Sequence, residues 1–300
     1  MRLVNGYVKS NQYPDALENV RLLTEVTNNT GRYEDTHIRV EDFKMVLDKE
    51  PFEAQATFDD LADIRYDIKA KGAIDLEKAT HVYPLEGMQV AGKVFADIKS
   101  QGRLSYALEG QYDKLPTSGF ARIQNFSYMA ADLPQGFKIT EAYANFSPQT
   151  MTIERFDGFL GKSDLQLTGE LKNYIAYLFL PEGTIVGNMQ MRSRQFDVNE
   201  WMTEAPASPT TSAEVKPASN PAPGASAPAP ASGESLVVEI PRNVDFTMNA
   251  QIDKALYTNL SLDDLKGVII IRDGVMTLKD VNFNTLGGAF TSNGRYDPAT

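Results

Sequence analysis

Alternation with a period of two recurs along nearly the whole chain, and no other feature limits its fold as strongly. It is clearest between Leu262 and Asp297. Residues 268–271 are a β-branched run, and Asp273-Gly274 is a hairpin dipeptide. Residues 275–281 then set Met276 and Leu278 on one face against Thr277 and Lys279 on the other. Gly287-Gly288 supplies a second turn before residues 289–296. Successive side chains of a strand point to opposite sheet faces, so this stretch predicts three strands sharing one apolar face.

The rest of the chain repeats the unit. Residues 36–47 predict a strand whose apolar parity changes between Val40 and Phe43, which implies a bulge or bend. Phe52, Ala54, Ala56 and Phe58 then alternate with Glu53, Gln55, Thr57 and Asp59. Ile64, Tyr66, Ile68 and Ala70 do the same against Arg65, Asp67, Lys69 and Lys71. Leu104, Tyr106 and Leu108 predict a further strand ending at Gly110. Later strands are marked by Phe137 and Ile139, by Met151 and Ile153, by Leu165 and Leu167, by Met189 and Met191, and by Phe246 and Met248.

Helical links are expected at 14–21, at 76–82 with Asp75 as N-cap, at 174–180, and at 197–202, which holds the only tryptophan, Trp201. A junction of glycine, short link, proline and glycine recurs as Gly72…Pro84…Gly87, Gly110…Pro116…Gly119 and Gly169…Pro181…Gly183. Sliding the chain by about 125 residues lays Met151-Thr152-Ile153 on Met276-Thr277-Leu278 and Gly169 on Gly294, the mark of a degenerate repeat. The expected fold is mainly β: a long curled antiparallel sheet of repeated meander units with short helical links.

Residues 203–235 break the pattern. They are rich in Pro, Ala and Ser, as in KPASNPAPGASAPAPASGES, and carry too little apolar surface to offset the entropy of ordering. Extended at about 3.1 Å per residue, they reach roughly 100 Å. This predicts a β-repeat region over 1–202, a disordered linker over 203–235 and a second β unit over 236–300. The chain reads as a piece of a longer protein, because it enters in the middle of a pattern.

Composition removes several function classes. A net charge of −11 argues against nucleic-acid binding, which needs a basic surface. It also disfavours unaided adsorption to an anionic membrane. With no cysteine, there is no disulfide or thiolate chemistry. No apolar run approaches the roughly 18 residues of a membrane-spanning helix. His37 and His81 have no ligand-spaced partners, so no metal is expected. Nucleophile-elbow, phosphate-loop and calcium-loop motifs are absent. Asp59-Asp60 and Asp263-Asp264 sit where aspartate commonly opens a turn, so no catalytic residue, enzyme activity or cofactor is expected. What is left is the apolar face. Packed on a second sheet it is simply a core; on a single curled sheet it lines an open groove that needs an apolar occupant. Alternation by itself favours the core.

Several stretches resemble the later part of AsmA-like proteins. They are residues 13–20 (YPDALENV), Asn28-Asn29-Thr30-Gly31, the strand from Asp35 to Val40, residues 49–54 (KEPFEA), Pro84-Leu85-Glu86-Gly87 and residues 92–97 (GKVFAD). The closing unit, from Leu265-Lys266-Gly267 through Asp273-Gly274 to Gly294-Arg295-Tyr296-Asp297, is similar to the AsmA C-terminal region. The resemblance covers nearly all of the chain except the linker. It implies a repeating β-groove protein anchored to the inner membrane of a double-membraned bacterium by an N-terminal helix. That protein would lie in the periplasm, carry phospholipid or another lipid toward the outer membrane and support outer-membrane assembly, with envelope proteins as further partners.

The family has no catalytic residues to carry over; its functional surface is the groove. The residues that alternation turns inward are therefore the candidates: Phe52, Phe58, Ile64, Tyr66, Ile68, Leu104, Tyr106, Leu108, Met151, Ile153, Leu165, Leu167, Met189, Met191, Phe246, Met248, Met276 and Leu278. The alternative is a structural or adhesive β scaffold for protein partners.

Overall fold

The computed structural model describes residues 1–9, 16–47, 49–82, 87–130, 133–180, 183–201 and 240–298. The linker expected over 203–235 lies outside the described residues, as do Pro84, Pro181 and Met202.

The described chain forms one sheet of fifteen strands, ordered in space as in sequence and not closed into a barrel. The strands are β1 (Arg2–Lys9), β2 (Ala16–Asn28), β3 (Thr36–Leu47), β4 (Glu50–Asp59), β5 (Arg65–Asp75), β6 (Met88–Arg103), β7 (Thr117–Ala130) and β8 (Leu133–Phe146). They continue as β9 (Thr150–Leu160), β10 (Ser163–Lys172), β11 (Ile185–Asp197), β12 (Val244–Tyr257), β13 (Leu260–Arg272), β14 (Val275–Thr285) and β15 (Gly288–Tyr296). Three short helices link them: α1 (Leu76–Val82), α2 (Leu104–Leu108) and α3 (Tyr174–Phe179). The expected class, a long curled sheet of meanders with short helical links, is the one observed.

Local chemistry explains many of the joints. Asp273 and Gly274 take φ of 54° and 77°, as a two-residue hairpin turn between right-twisted strands requires. The next hairpin turns on Leu286 and Gly287, with φ of 50° and 78°, while Gly288 already begins β15. The parity change between Val40 and Phe43 is a register shift between β3 and β4. Asp75 Oδ1 accepts from the Lys78 N–H at 3.2 Å, capping α1. The repeat at an offset of about 125 is realised in pairing. Ile153 opposes Gly169 and Met151 opposes Leu171 in one pair of strands. Leu278 opposes Gly294 and Met276 opposes Tyr296 in the other.

Three expectations are corrected. Residues 16–21 lie in β2 rather than in a helical turn, because they pair with β1 and β3. Leu104, Tyr106 and Leu108 lie in α2 rather than in a strand. Leu104 and Ala107, three residues apart, are both buried, a helical spacing that the alternation of LSYAL had masked. The sheet is also not wholly antiparallel. All neighbours run antiparallel except β11 and β12, which pair in parallel from Ile185↔Val244 to Asp197↔Leu256. Parallel neighbours need a crossover as long as the strand itself. A 13-residue β11 spans about 43 Å, so the start of β12 lies about that far from the end of β11.

Candidate functional site

Register converts alternation into a continuous surface. One row takes one residue from each of the fifteen strands. It begins Leu3–Leu22–Phe43–Ala54–Ala70–Ile98–Gly119–Phe146. It continues Met151–Leu171–Gly187–Phe246–Ile271–Met276–Tyr296. No member carries a charge. The next row on the same face runs from Phe52 through Gly72, Ala96, Ala121 and Ala144 to Ile153, Gly169, Met189, Met248, Ile269, Leu278 and Gly294. The parallel junction leaves this face uninterrupted, since Met189 opposes Met248 and Met191 opposes Ala250.

The opposite face is polar. Arg21, Lys44, Glu53, Lys71 and Asp97 oppose one another on successive strands. Ion pairs cross it at Arg21–Asp42 (2.6 Å), Lys71–Asp97 (2.9 Å) and Arg272–Asp245 (2.8 Å). Such exposed pairs stabilise little. These charges stand on the face away from the apolar rows, where Phe120, opposite Asp97, also stacks on Tyr143 at 5.8 Å.

The exposure of the apolar row shows how much of it is covered. Only Leu171 and Gly187 are buried; the other thirteen members are half-buried. No second sheet covers the face among the described residues. A sandwich would bury such a row completely. The face therefore forms an open apolar trough over most of its length.

One part of it is filled. α2 and α3 meet on the apolar side, so that the sheet near β5 and the sheet near β10 and β11 share one cluster. Phe179 of α3 packs on Tyr66 at 5.2 Å and on Phe58 at 6.5 Å between ring centroids. Tyr174 packs on Phe146 at 5.8 Å and donates its hydroxyl to the Ser147 carbonyl at 2.7 Å. Burial pushes the Tyr174 hydroxyl up to about 12, so it stays neutral and donating. Burial also raises the Tyr66 hydroxyl, and Ser100, close enough to offset part of that rise, does not reach hydrogen-bond geometry with it. That hydroxyl is buried without a hydrogen-bond partner.

The sequence-nominated residues fall into four groups. Tyr66 and Met189 lie in the buried cluster, with Phe58, Ile64, Ile68, Tyr106, Met151, Ile153, Leu167, Phe246 and Met248 packed against it. Met191 belongs to a second buried cluster with Ala250, Ile252 and Ala255, and Leu165 packs against it. Phe52, Met276 and Leu278 remain half-buried on the open face. Leu104 is buried in α2, whereas Leu108 is 59% exposed on the far side of that helix and lines nothing.

The open face also carries aromatic contacts beyond the nominated residues. Phe126, Phe137 and Phe156 pack in series, with centroids 6.2 Å and 6.0 Å apart. Phe43 meets Phe52 at 6.0 Å, and Phe283 stacks on Phe290 at 5.7 Å. Register shifts flank Phe126, Phe137 and Phe156, so counting by twos does not reveal their face. A search for aromatics on neighbouring strands, independent of parity, would have found them.

One buried carboxylate serves the fold. Asp164 is buried at the end of the β10–β11 ladder. Its carboxylate accepts from the backbone N–H of Gln195 (2.8 Å) and of Arg194 (3.0 Å), and from Arg194 Nε (3.2 Å). Burial pushes this carboxyl up, but these donors and the guanidinium outweigh it and hold it below the ordinary carboxylate range. His37 Nδ1 lies 2.7 Å from Asp59 Oδ1 on an exposed strand end. Among the described residues, no three His, Cys, Asp or Glu side chains gather as a metal site. No described helix is long and apolar enough to cross a membrane. Comparison with family models, with curated proteins and with solved structures returned no match.

Proposed function

We propose that this chain is a non-enzymatic, lipid-holding segment of a cell-envelope protein similar to the AsmA family. One observation carries the reading: an uncharged row crosses all fifteen strands and stays half-exposed over most of its length. Apolar surface left in water costs about 25 cal/mol per Å². An occupant that relieves this cost must be apolar, elongated and without a fixed pattern of polar contacts. Lipid acyl chains fit that description. In this reading the segment lies on the periplasmic side of the inner membrane, anchored through an N-terminal helix, and passes phospholipid toward the outer membrane.

The test begins with mass spectrometry of lipid extracted from the purified chain. It continues with fluorescent phospholipid added to delipidated protein. Co-purifying phospholipid and saturable uptake are expected; a folded protein that takes up none overturns the reading. Met276→Asp and Leu278→Asp should lower uptake while the far-UV spectrum stays that of a β protein. The alternative, a scaffold for protein partners, draws support from the outer edges of β1 and β15, unpaired among the described residues, where another strand can add. It predicts partner binding that these two substitutions leave unchanged.

A further inference from the structure

We propose that α2 and α3 form a fixed wall that fills one side of the trough and confines a lipid tail to the other. The inference rests on the lipid reading and adds where on the apolar face the tail can lie.

The wall is built rather than laid on. On the β5 side, Asp63 accepts from the Ser105 backbone N–H at 2.9 Å and from its hydroxyl at 3.0 Å. The Leu104 N–H donates to the Ile64 carbonyl at 2.9 Å, and Arg103 pairs with Asp63 at 3.2 Å. On the β8–β9 side, the Tyr174 hydroxyl holds the Ser147 carbonyl. At the end of α3, Asn173 donates to the Thr184 carbonyl at 2.6 Å. Leu115 and Ala176, at the centre, are 0% exposed. A side chain on Gly183 would run into the Ala176 carbonyl, so no space remains between α3 and the chain that leaves it. Anchored from both sides and closely packed, this unit has the character of core, not of a loose lid.

The rows beneath the wall are therefore occupied by the protein itself. Phe179 fills the space over Tyr66 and Phe58 that an acyl chain would otherwise take. The aromatic line of Phe126, Phe137 and Phe156 stands outside the wall's cluster and stays half-exposed. A tail following the trough runs along this line and stops at the wall.

The absence of cysteine makes the test clean. Single substitutions Phe137→Cys and Phe126→Cys report the open side; Tyr66→Cys and Met189→Cys, at positions 3% exposed in the cluster, report the walled side. Reaction of the folded chain with an uncharged maleimide should be at least about tenfold slower on the walled side, as expected for groups reached only by local opening. Adding Phe179→Ala should speed the walled positions and leave the open ones unchanged, with melting curves confirming that the chain is folded. Equal rates on both sides in the parent chain overturn the wall.

A benzophenone side chain at position 137 or 66, irradiated with phosphatidylcholine vesicles, then separates the two ideas. Lipid captured at 137 and not at 66 supports the proposal. Capture at both positions in the parent chain overturns the wall and leaves the lipid reading standing. Capture at neither, with the labelling contrast intact, overturns the lipid assignment and leaves the wall.

Discussion

A Cβ on Gly119 would run into the carbonyl oxygen of Asp97 on the neighbouring strand, and its φ of +131° is one that side-chain-bearing residues rarely adopt. Gly72 and Gly169 meet the same condition, against the Pro51 and Asn188 carbonyls. Their spacing in the sequence marked junctions; the structure adds that the backbone, not a ligand, requires glycine there. Gly119→Ala should therefore destabilise the fold by about 2 kcal/mol or more, read as a lower urea midpoint with an unchanged slope. The opposite sign is expected at Tyr66, which is 3% exposed with an unpartnered hydroxyl. Tyr66→Phe removes an unsatisfied buried polar group and keeps the ring against Phe179, so stability should hold or rise by up to about 1 kcal/mol. A loss above that figure would show that the hydroxyl has a partner in solution.

Elements in this chain depend on one another more than on their own propensities. β10 and β11 stay paired to Lys172↔Val186 at one end, and at the other Asp164 takes over from the ladder by accepting the N–H groups of Arg194 and Gln195. Because the Asp164 carboxyl is held below its ordinary value of about 3.9, the folded chain binds fewer protons there than the unfolded chain. Its contribution is fully present above that ordinary value and disappears as pH falls through the lower folded value. Asp164→Asn should lower the melting temperature at pH 7 and by less at pH 3, below the ordinary carboxylate value, where the parent carboxylate's contribution has begun to fall. Equal losses at both pH values would place the effect in packing instead. α2 carries the same lesson in another form. Its five residues are too few to be helical alone, and they are helical because Leu104 and Ala107 are buried together beside α3.

Across the whole molecule, the parallel pairing of β11 with β12 sets the demand on the connecting chain. The chain must return along about 43 Å, the length of a 13-residue strand. Removing half of 203–235 leaves ample reach, and the entropy of closing such a loop changes by only about 0.6 kcal/mol per halving of length. The melting temperature of that deletion should stay within a few degrees of the parent. Removing all of 203–235 leaves a connection that spans about 45 Å only when fully extended, so β12 to β15 should lose protection in hydrogen exchange while β3 to β9 keep theirs. Protection lost evenly over the sheet would mean that the strands on either side of the junction unfold as one unit.

Much of this architecture is written in the sequence, because a period of two has a direct physical meaning. It assigned Phe52 to Phe58, Met151 and Ile153, and Met276 and Leu278 to one face, and the strand register keeps them there. Asp273-Gly274 and the Val40/Phe43 parity change fixed a turn and a bulge for equally local reasons. The local pattern does not say what stands opposite a face. Phe52 and Phe58 alternate identically, yet Phe58 lies against Phe179 and Phe52 remains on the open side. Only the tertiary structure decided that, through the meeting of α2 and α3. It also decided the parallel junction, since strand direction depends on where a connection leads rather than on the residues of the strand. Periodicity is a property of neighbours in sequence; cover and direction are properties of neighbours in space.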